Sequence, residues 1–231
     1  MIIRKTALLI GASGLIGSHC LEFLLADTAY SEVRVLVRRP LDIEHPKLVQ
    51  YQINFELLGD YKDVIGADDV FCCLGTTIKK AGSKSAFAKV DLGYTAEIAR
   101  LAFNNGAKLF LLVSAMGADP GSRIFYNRIK GEVEESIARC GYDSFLVFRP
   151  SLLLGERKER RFGEELGQML SRWLPFAFTG FLKKYRPIAG KVVAYVMVEI
   201  AGNQWQGKHI FESEKIRSFY GQVQGLGRLM E

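Results

Sequence analysis

The 231-residue sequence is poor in the residues that mark metal centres, disulfide scaffolds and membrane spans. It has four cysteines and three histidines. Cys20, Cys72, Cys73 and Cys140 show no C-x-x-C spacing, which argues against a structural zinc site or a thioredoxin-type redox site. Reduced thiols in a cytoplasmic protein are the expectation. No apolar run approaches the ~20 residues that a bilayer span needs. The longest late one, from Trp173 to Leu182, is interrupted by Pro175 and Gly180. There is no internal repeat and no low-complexity tract. Charge of one sign does not dominate: 31 Lys and Arg face 25 Asp and Glu, a net +6. That excess favours anionic ligands, but no basic stripe interleaved with aromatics marks a nucleic-acid partner. The opening stretch, Met1 to Gly14, is basic and then apolar, but no small-residue cleavage site follows, so it reads as a first strand rather than a signal peptide.

What is present describes an ordinary globular protein: 48% of residues are hydrophobic and 24% charged. A chain of this length buries roughly 70% of its unfolded surface and needs no covalent staple. Apolar runs at Thr6–Ile10, Val33–Val37, Val70–Cys73, Leu109–Val113 and Phe145–Phe148 are nearly continuous, as strands are when both faces are covered. Helix-length segments lie between them at Leu15–Ala26, Ser85–Asn104 and Phe125–Arg139, the second closed by Asn104-Asn105-Gly106. The alternation predicts an α/β fold, a doubly wound parallel sheet. Residues 1–154 form the expected cofactor-binding core of a single domain, and 155–231 a substrate-covering and C-terminal part. In that part Arg186–Ile188 and His209–Glu212 read as short strands, Lys191–Ala201 as a helix, and Ser213 as the cap of a last helix.

The strand Thr6–Ile10 runs straight into Gly11-Ala12-Ser13-Gly14-Leu15-Ile16-Gly17 and then a helix. Three glycines at this strand-to-helix turn suit a dinucleotide pyrophosphate. Gly11 permits the tight turn, Gly14 lets backbone approach the ligand, and Gly17 allows close helix–strand packing. The helix start offers free N–H groups and its positive dipole end. Twenty-one residues after Gly17, where a carboxylate reads the NAD ribose, stand Arg38 and Arg39. Guanidinium groups there can hold a 2′-phosphate, so NADP(H) is the expected cofactor. Leu74, Gly75 and Thr76 follow another strand at the same sheet edge, where Gly75 would let backbone lie against the cofactor's ribose. Cys72 and Cys73 before them read as small core residues.

The strand Leu109–Val113 delivers Ser114 to that edge, and twelve residues on comes Tyr126, four before Lys130. Tyr126 and Lys130 share one helix face. This suits carbonyl reduction. A phenol ionises near pH 10, and a nearby ammonium favours the phenolate. Ser114 would hydrogen-bond and orient the substrate oxygen, and the cofactor would supply the hydride.

These motifs, with Phe71-Cys72-Cys73-Leu74-Gly75-Thr76-Thr77, Lys130-Gly131-Glu132-Val133-Glu134 and Val147-Phe148-Arg149-Pro150, resemble the short-chain dehydrogenase/reductase superfamily. More narrowly the chain looks like its atypical, Tat-interacting-protein-like branch. The resemblance runs from residue 5 to about 165. It implies an NADPH-binding Rossmann domain with a Ser–Tyr–Lys centre. The implied cofactor contacts are Ser13, Gly14, Leu15, Ile16, Arg38, Arg39, Leu74, Gly75, Tyr126, Lys130, Leu153 and Arg161.

Beyond Pro150 the sequence is charged from Gly155 to Arg172 and aromatic from Trp173 to Tyr185. The aromatic stretch would line a pocket for an apolar carbonyl or quinone-like substrate, pack on the core, or lie on a membrane or partner surface. Two functional classes stay open: an NADPH-dependent reductase, and a cofactor-gated protein that senses the redox state of NADP(H) and binds a protein partner. Monomer and homodimer are both compatible with the sequence.

Overall fold

A parallel sheet of seven strands carries the fold in the computed structural model, which describes residues 4–154 and 185–227. The strands are β1 (Lys5–Ile10), β2 (Tyr30–Val37), β3 (Leu48–Gln52), β4 (Asp69–Cys72), β5 (Leu109–Val113), β6 (Ser144–Arg149) and, at the far edge, β9 (Gly207–Glu212). Their order is β3-β2-β1-β4-β5-β6-β9. Two short strands, β7 (Leu153–Leu154) and β8 (Ile188–Ala189), pair separately. The principal helices are α1 (Leu15–Ala26), α4 (Thr95–Asn104), α5 (Phe125–Ala138), α6 (Gly190–Ala201) and α7 (Ser213–Gly227). Two short ones, α2 (Ile78–Ala81) and α3 (Lys84–Ala88), follow β4. The doubly wound α/β class read from the sequence is the fold observed.

The alternation of side chains along each strand builds two cores. Ala7, Leu9, Val35, Phe71, Leu111 and Leu146 face α1 and α6, meeting Cys20, Leu21, Leu24, Val193 and Met197. Leu8, Ile10, Val70, Phe110, Leu112 and Val147 face the other way, meeting Ile98, Ala102, Val133 and Ile137 from α4 and α5. Burial on both faces explains the unbroken apolar runs, and each Leu, Ile, Val or Phe among them contributes about 1.5–3 kcal/mol.

Register sets the functional edge. Leu36, Ile10, Cys72, Leu112, Val147 and Ile210 pair across one row of the sheet. Gly11, Leu74, Ser114 and Arg149 therefore leave the sheet along one carboxyl-terminal edge. The chain winds outward from β1 in one direction and from β4 in the other, so the crevice between them is the topological switch point where such sheets bind ligands.

Two local expectations change. The single helix expected over Ser85–Asn104 is broken. A π-helical turn, Lys89–Tyr94, separates α3 from α4. There the Thr95 hydroxyl donates to the Val90 carbonyl at 3.4 Å. Ser213 opens the last helix, but its hydroxyl accepts the Ser151 N–H at 2.6 Å and donates to the Ser151 hydroxyl at 2.9 Å. The expected strand and helix of the C-terminal part join the main fold: β9 extends the sheet beside β6, and α6 lies against α1. The charged and aromatic segments from 155 to 184, with Arg161, lie outside the described residues.

Candidate active site

Gly11 leaves β1 with φ at 84°, a left-handed conformation that side chains disfavour. A Cβ there would sit 2.6 Å from the Cys73 backbone, so glycine lets the turn lie against the end of β4. At Gly17 a Cβ would come 2.0 Å from the Gly11 carbonyl oxygen. Helix α1 can therefore seat on the turn only with glycine at that position. Gly14 precedes the helix, its N–H closing the turn on the Gly11 carbonyl at 2.9 Å. No side chain caps the helix start. Ser13 and Gly14 are exposed, Leu15 is half-buried, and Ile16 is buried in the core beneath. The result is an open cradle with backbone donors toward solvent, the arrangement that accepts a pyrophosphate.

Arg38 and Arg39 follow β2, both exposed and beside the cradle in the register of the sheet. On the other side of the cradle Leu74, Gly75 and Thr76 leave β4, with Gly75 exposed. Leu153, in β7, is half-buried opposite Ile188. Sequence reasoning thus placed the glycine turn, the arginine pair and the Leu74–Thr76 turn along one edge, and the fold brings them together there.

Helix α5 brings the phenol and the ammonium to the same edge. Tyr126 is half-buried and its ring packs on the buried Phe87 of α3, centroids 5.4 Å apart. Lys130, one turn further, is almost fully buried and lies 2.7 Å from Asp91 Oδ1 as an ion pair. The other Asp91 oxygen accepts the Thr76 N–H at 2.9 Å. Burial by itself pulls the Lys130 ammonium toward deprotonation, but Asp91, aided by Tyr126, outweighs it and raises the pKa above the ordinary lysine value. Gly131, next on the helix, is fixed by packing: a Cβ there would fall 2.1 Å from the Pro120 nitrogen.

Ser114 makes a contact that the sequence did not announce. It is 5% exposed, and its hydroxyl donates to Glu134 Oε1 at 2.6 Å. Arg149 holds the same carboxylate through Nε at 2.9 Å and Nη2 at 2.7 Å. A hydroxyl has one proton. In this arrangement the proton goes to the buried carboxylate, which joins the end of β5 to α5 and, through Arg149, to β6. Asp91 and Glu134 are the site residues that motif spacing did not reveal.

The thiols behave as core groups. Burial pushes Cys72 up to about 12. Cys73 is raised well above the ordinary thiol value, first by a hydrogen bond with the free thiol of Cys20 and then by burial. Among the described residues no three His, Cys, Asp or Glu side chains gather as a metal site, and no helix is long and apolar enough to cross a membrane.

A family model described as NAD(P)H-binding matches residues 11–165. Protein HTATIP2 of Rattus norvegicus is 39% identical over 176 residues, covering 74% of this chain and 72% of its own. The mitochondrial protein FMP52 of Candida albicans is 32% identical over 199 residues, covering 84% and 86%. Among solved structures the Bordetella bronchiseptica enzyme WbmH in complex with NAD+ superposes with a TM-score of 0.65 at 18% identity, covering 95% of this chain and 80% of its own. MoeE5 in complex with UDP-glucose and NAD gives 0.67 at 15% identity, covering 95% and 82%. These structures share the fold. The expected cytoplasmic location does not stand: FMP52 relatives from Candida albicans, Debaryomyces hansenii, Eremothecium gossypii and Aspergillus niger are named mitochondrial.

Proposed function

The chain belongs to the NAD(P)H-binding family, in the branch of the HTATIP2 and FMP52 proteins, and from that premise we propose that it is an NADPH-dependent oxidoreductase acting on an apolar carbonyl or quinone-like substrate. The observation that carries the reading is the placement of Tyr126 and a buried, charged Lys130 on the edge that also holds the glycine cradle. Gly11, Ser13, Gly14, Leu15, Ile16 and Gly17 would hold the pyrophosphate. Arg38 and Arg39 would select the 2′-phosphate. Leu74, Gly75 and Thr76 would bound the ribose side, with Leu153 as a further cofactor contact. When bound, the reduced dinucleotide supplies a hydride to the substrate carbon. Tyr126 gives its phenolic proton to the substrate oxygen and recovers one from water. Lys130 stabilises the phenolate left behind and offers its remaining N–H groups to the ribose. Ser114 supports the edge through Glu134 without touching substrate.

Calorimetry with NADPH and NADH tests the first half. Preferential NADPH binding is expected, and equal affinity would remove the arginine pair from cofactor choice. Tyr126→Phe tests the second: NADPH consumption across a carbonyl and quinone panel should fall at least 100-fold while NADPH binding stays within threefold.

A second reading is favoured by the Ser114–Glu134 bond, which leaves the site one free hydroxyl short. It is a protein that binds the dinucleotide, turns over little, and engages a protein partner in one redox state. Tight NADPH binding without consumption on the panel, with a partner held only in the reduced or the oxidised form, would favour it.

A further inference from the structure

One carboxylate ties three elements together under the candidate cofactor edge. Asp91 sits in the π-helical turn between α3 and α4, 1% exposed. Its Oδ1 lies 2.7 Å from Lys130 Nζ on α5, and its Oδ2 accepts the Thr76 N–H of the turn after β4. The pair lies close beneath exposed backbone: a Cβ placed on Gly75 would be 3.4 Å from Asp91 Oδ1 and 3.7 Å from Lys130 Nζ. We propose that Asp91 is a positioning residue, keeping the buried Lys130 as an ammonium and fixing it under the Gly75 backbone. The proposal rests on the reading above for what the ammonium serves, but the positioning itself concerns only this chain's own groups.

The physical need is plain. The Lys130 side chain is 6% exposed and that of Asp91 is fully buried. An ammonium taken out of water without a counter-charge sheds its proton. Asp91 from the π turn, Tyr126 from the same helix and Cys72 from β4 face Lys130. Asp91 is the one carboxylate among them. The π turn gives it the reach: the chain is widened at Lys89–Tyr94, and the Thr95–Val90 bond closes the widened loop behind it. The Thr76 amide then holds the carboxylate from the far side, so the ammonium has one place to be.

The test follows Lys130 directly in cofactor-free protein. Lysines labelled at Cε are titrated by NMR, with the Lys130 signal assigned by Lys130→Arg. In the wild type Lys130 should stay charged to a pH above that of ordinary surface lysines. In Asp91→Asn it should lose its proton at least one pH unit earlier, and Asp91→Glu should recover part of that shift. A wild-type Lys130 that titrates below the surface lysines would overturn the proposal even if the Asn variant fails to fold. So would an Asn variant that folds and titrates like the wild type. NADPH binding gives the second readout. Wild-type affinity should vary less than twofold between pH 7 and pH 9, and Asp91→Asn should weaken over that range in proportion to the Lys130 charge lost in its own titration. If the wild type binds no dinucleotide, the cofactor reading fails while the lysine titration still decides the role of Asp91.

Discussion

Replacing Ser114 by alanine separates two accounts of this edge. As the substrate-orienting hydroxyl of a reductase, Ser114 would be needed for turnover and nearly irrelevant to stability. The bond to Glu134 predicts the reverse. The hydroxyl donates 2.6 Å to a carboxylate that is 1% exposed, a charge-assisted bond. Hydrogen bonds to charged groups contribute about 1.5–3 kcal/mol. Ser114→Ala leaves Glu134 its two bonds from Arg149, so the loss should lie near the lower half of that range, about 2 kcal/mol. For a domain of this size that lowers Tm by about 4–8 °C. Turnover with NADPH on the best panel substrate should stay within about fivefold of wild type, a margin of about 1 kcal/mol in the barrier. Calorimetric melting and initial rates on the same preparation decide it. An unchanged Tm with a 100-fold loss of kcat would place the hydroxyl at the reacting centre and refute the argument. Glu134→Gln provides the control. It leaves Arg149, 19% exposed, without its buried counter-charge, and should cost about 3 kcal/mol.

Other variants probe the remaining parts. Gly17→Ala forces a Cβ to within 2.0 Å of the Gly11 carbonyl; it should destabilise by about 1–3 kcal/mol and abolish NADPH binding in calorimetry. Arg38→Asp should weaken NADPH at least tenfold and leave NADH nearly unchanged, and the wild-type preference for NADPH should shrink as salt rises, because both arginines are exposed. Asp91→Asn should invert a pH dependence. In the wild type Lys130 is raised, so its contribution is complete below the unfolded lysine value and fades only as pH climbs through the folded one. With Asp91 neutralised, burial pulls the folded value below the unfolded one. The unfolded chain then binds more protons, and Tm should rise from pH 6 to pH 9.

The sheet was legible because its strands are covered on both faces. Unbroken apolar runs such as Leu109–Val113 were located to the residue, and Leu15–Ala26 likewise, since a glycine turn fixes where that helix begins. The edge strand β3 was missed. Its sequence, Leu48 to Gln52, mixes Gln50 and Gln52 with half-buried apolar residues and sits beside β2 alone. The glycine cradle and the Tyr126–Lys130 spacing were legible for a related reason: each is a local pattern on one turn or one helix. Asp91 was not. In a helix assumed continuous from Ser85 to Asn104 it reads as one polar residue among several, and only the π turn carries it inward. Glu134 was hidden by distance along the chain, its partners Ser114 and Arg149 standing on two other elements that meet through the pairing of β5 with β6.

The Lys130–Glu134 string shows why a short motif can be specific. Its residues meet unrelated demands within two helical turns. Lys130 must reach Asp91 across to the π turn, Gly131 must leave room for the Asp119–Pro120 backbone, Val133 must fill the core under β5, and Glu134 must bind Ser114 and Arg149 at the strand ends. None of these partners lies on α5, so no periodicity of the helix predicts them. Each pins the helix to a different part of the sheet edge. Tyr126 stands at the opening turn of the same helix: its ring leans on Phe87, and the anchors at Lys130 and Glu134 lie one and two turns behind it.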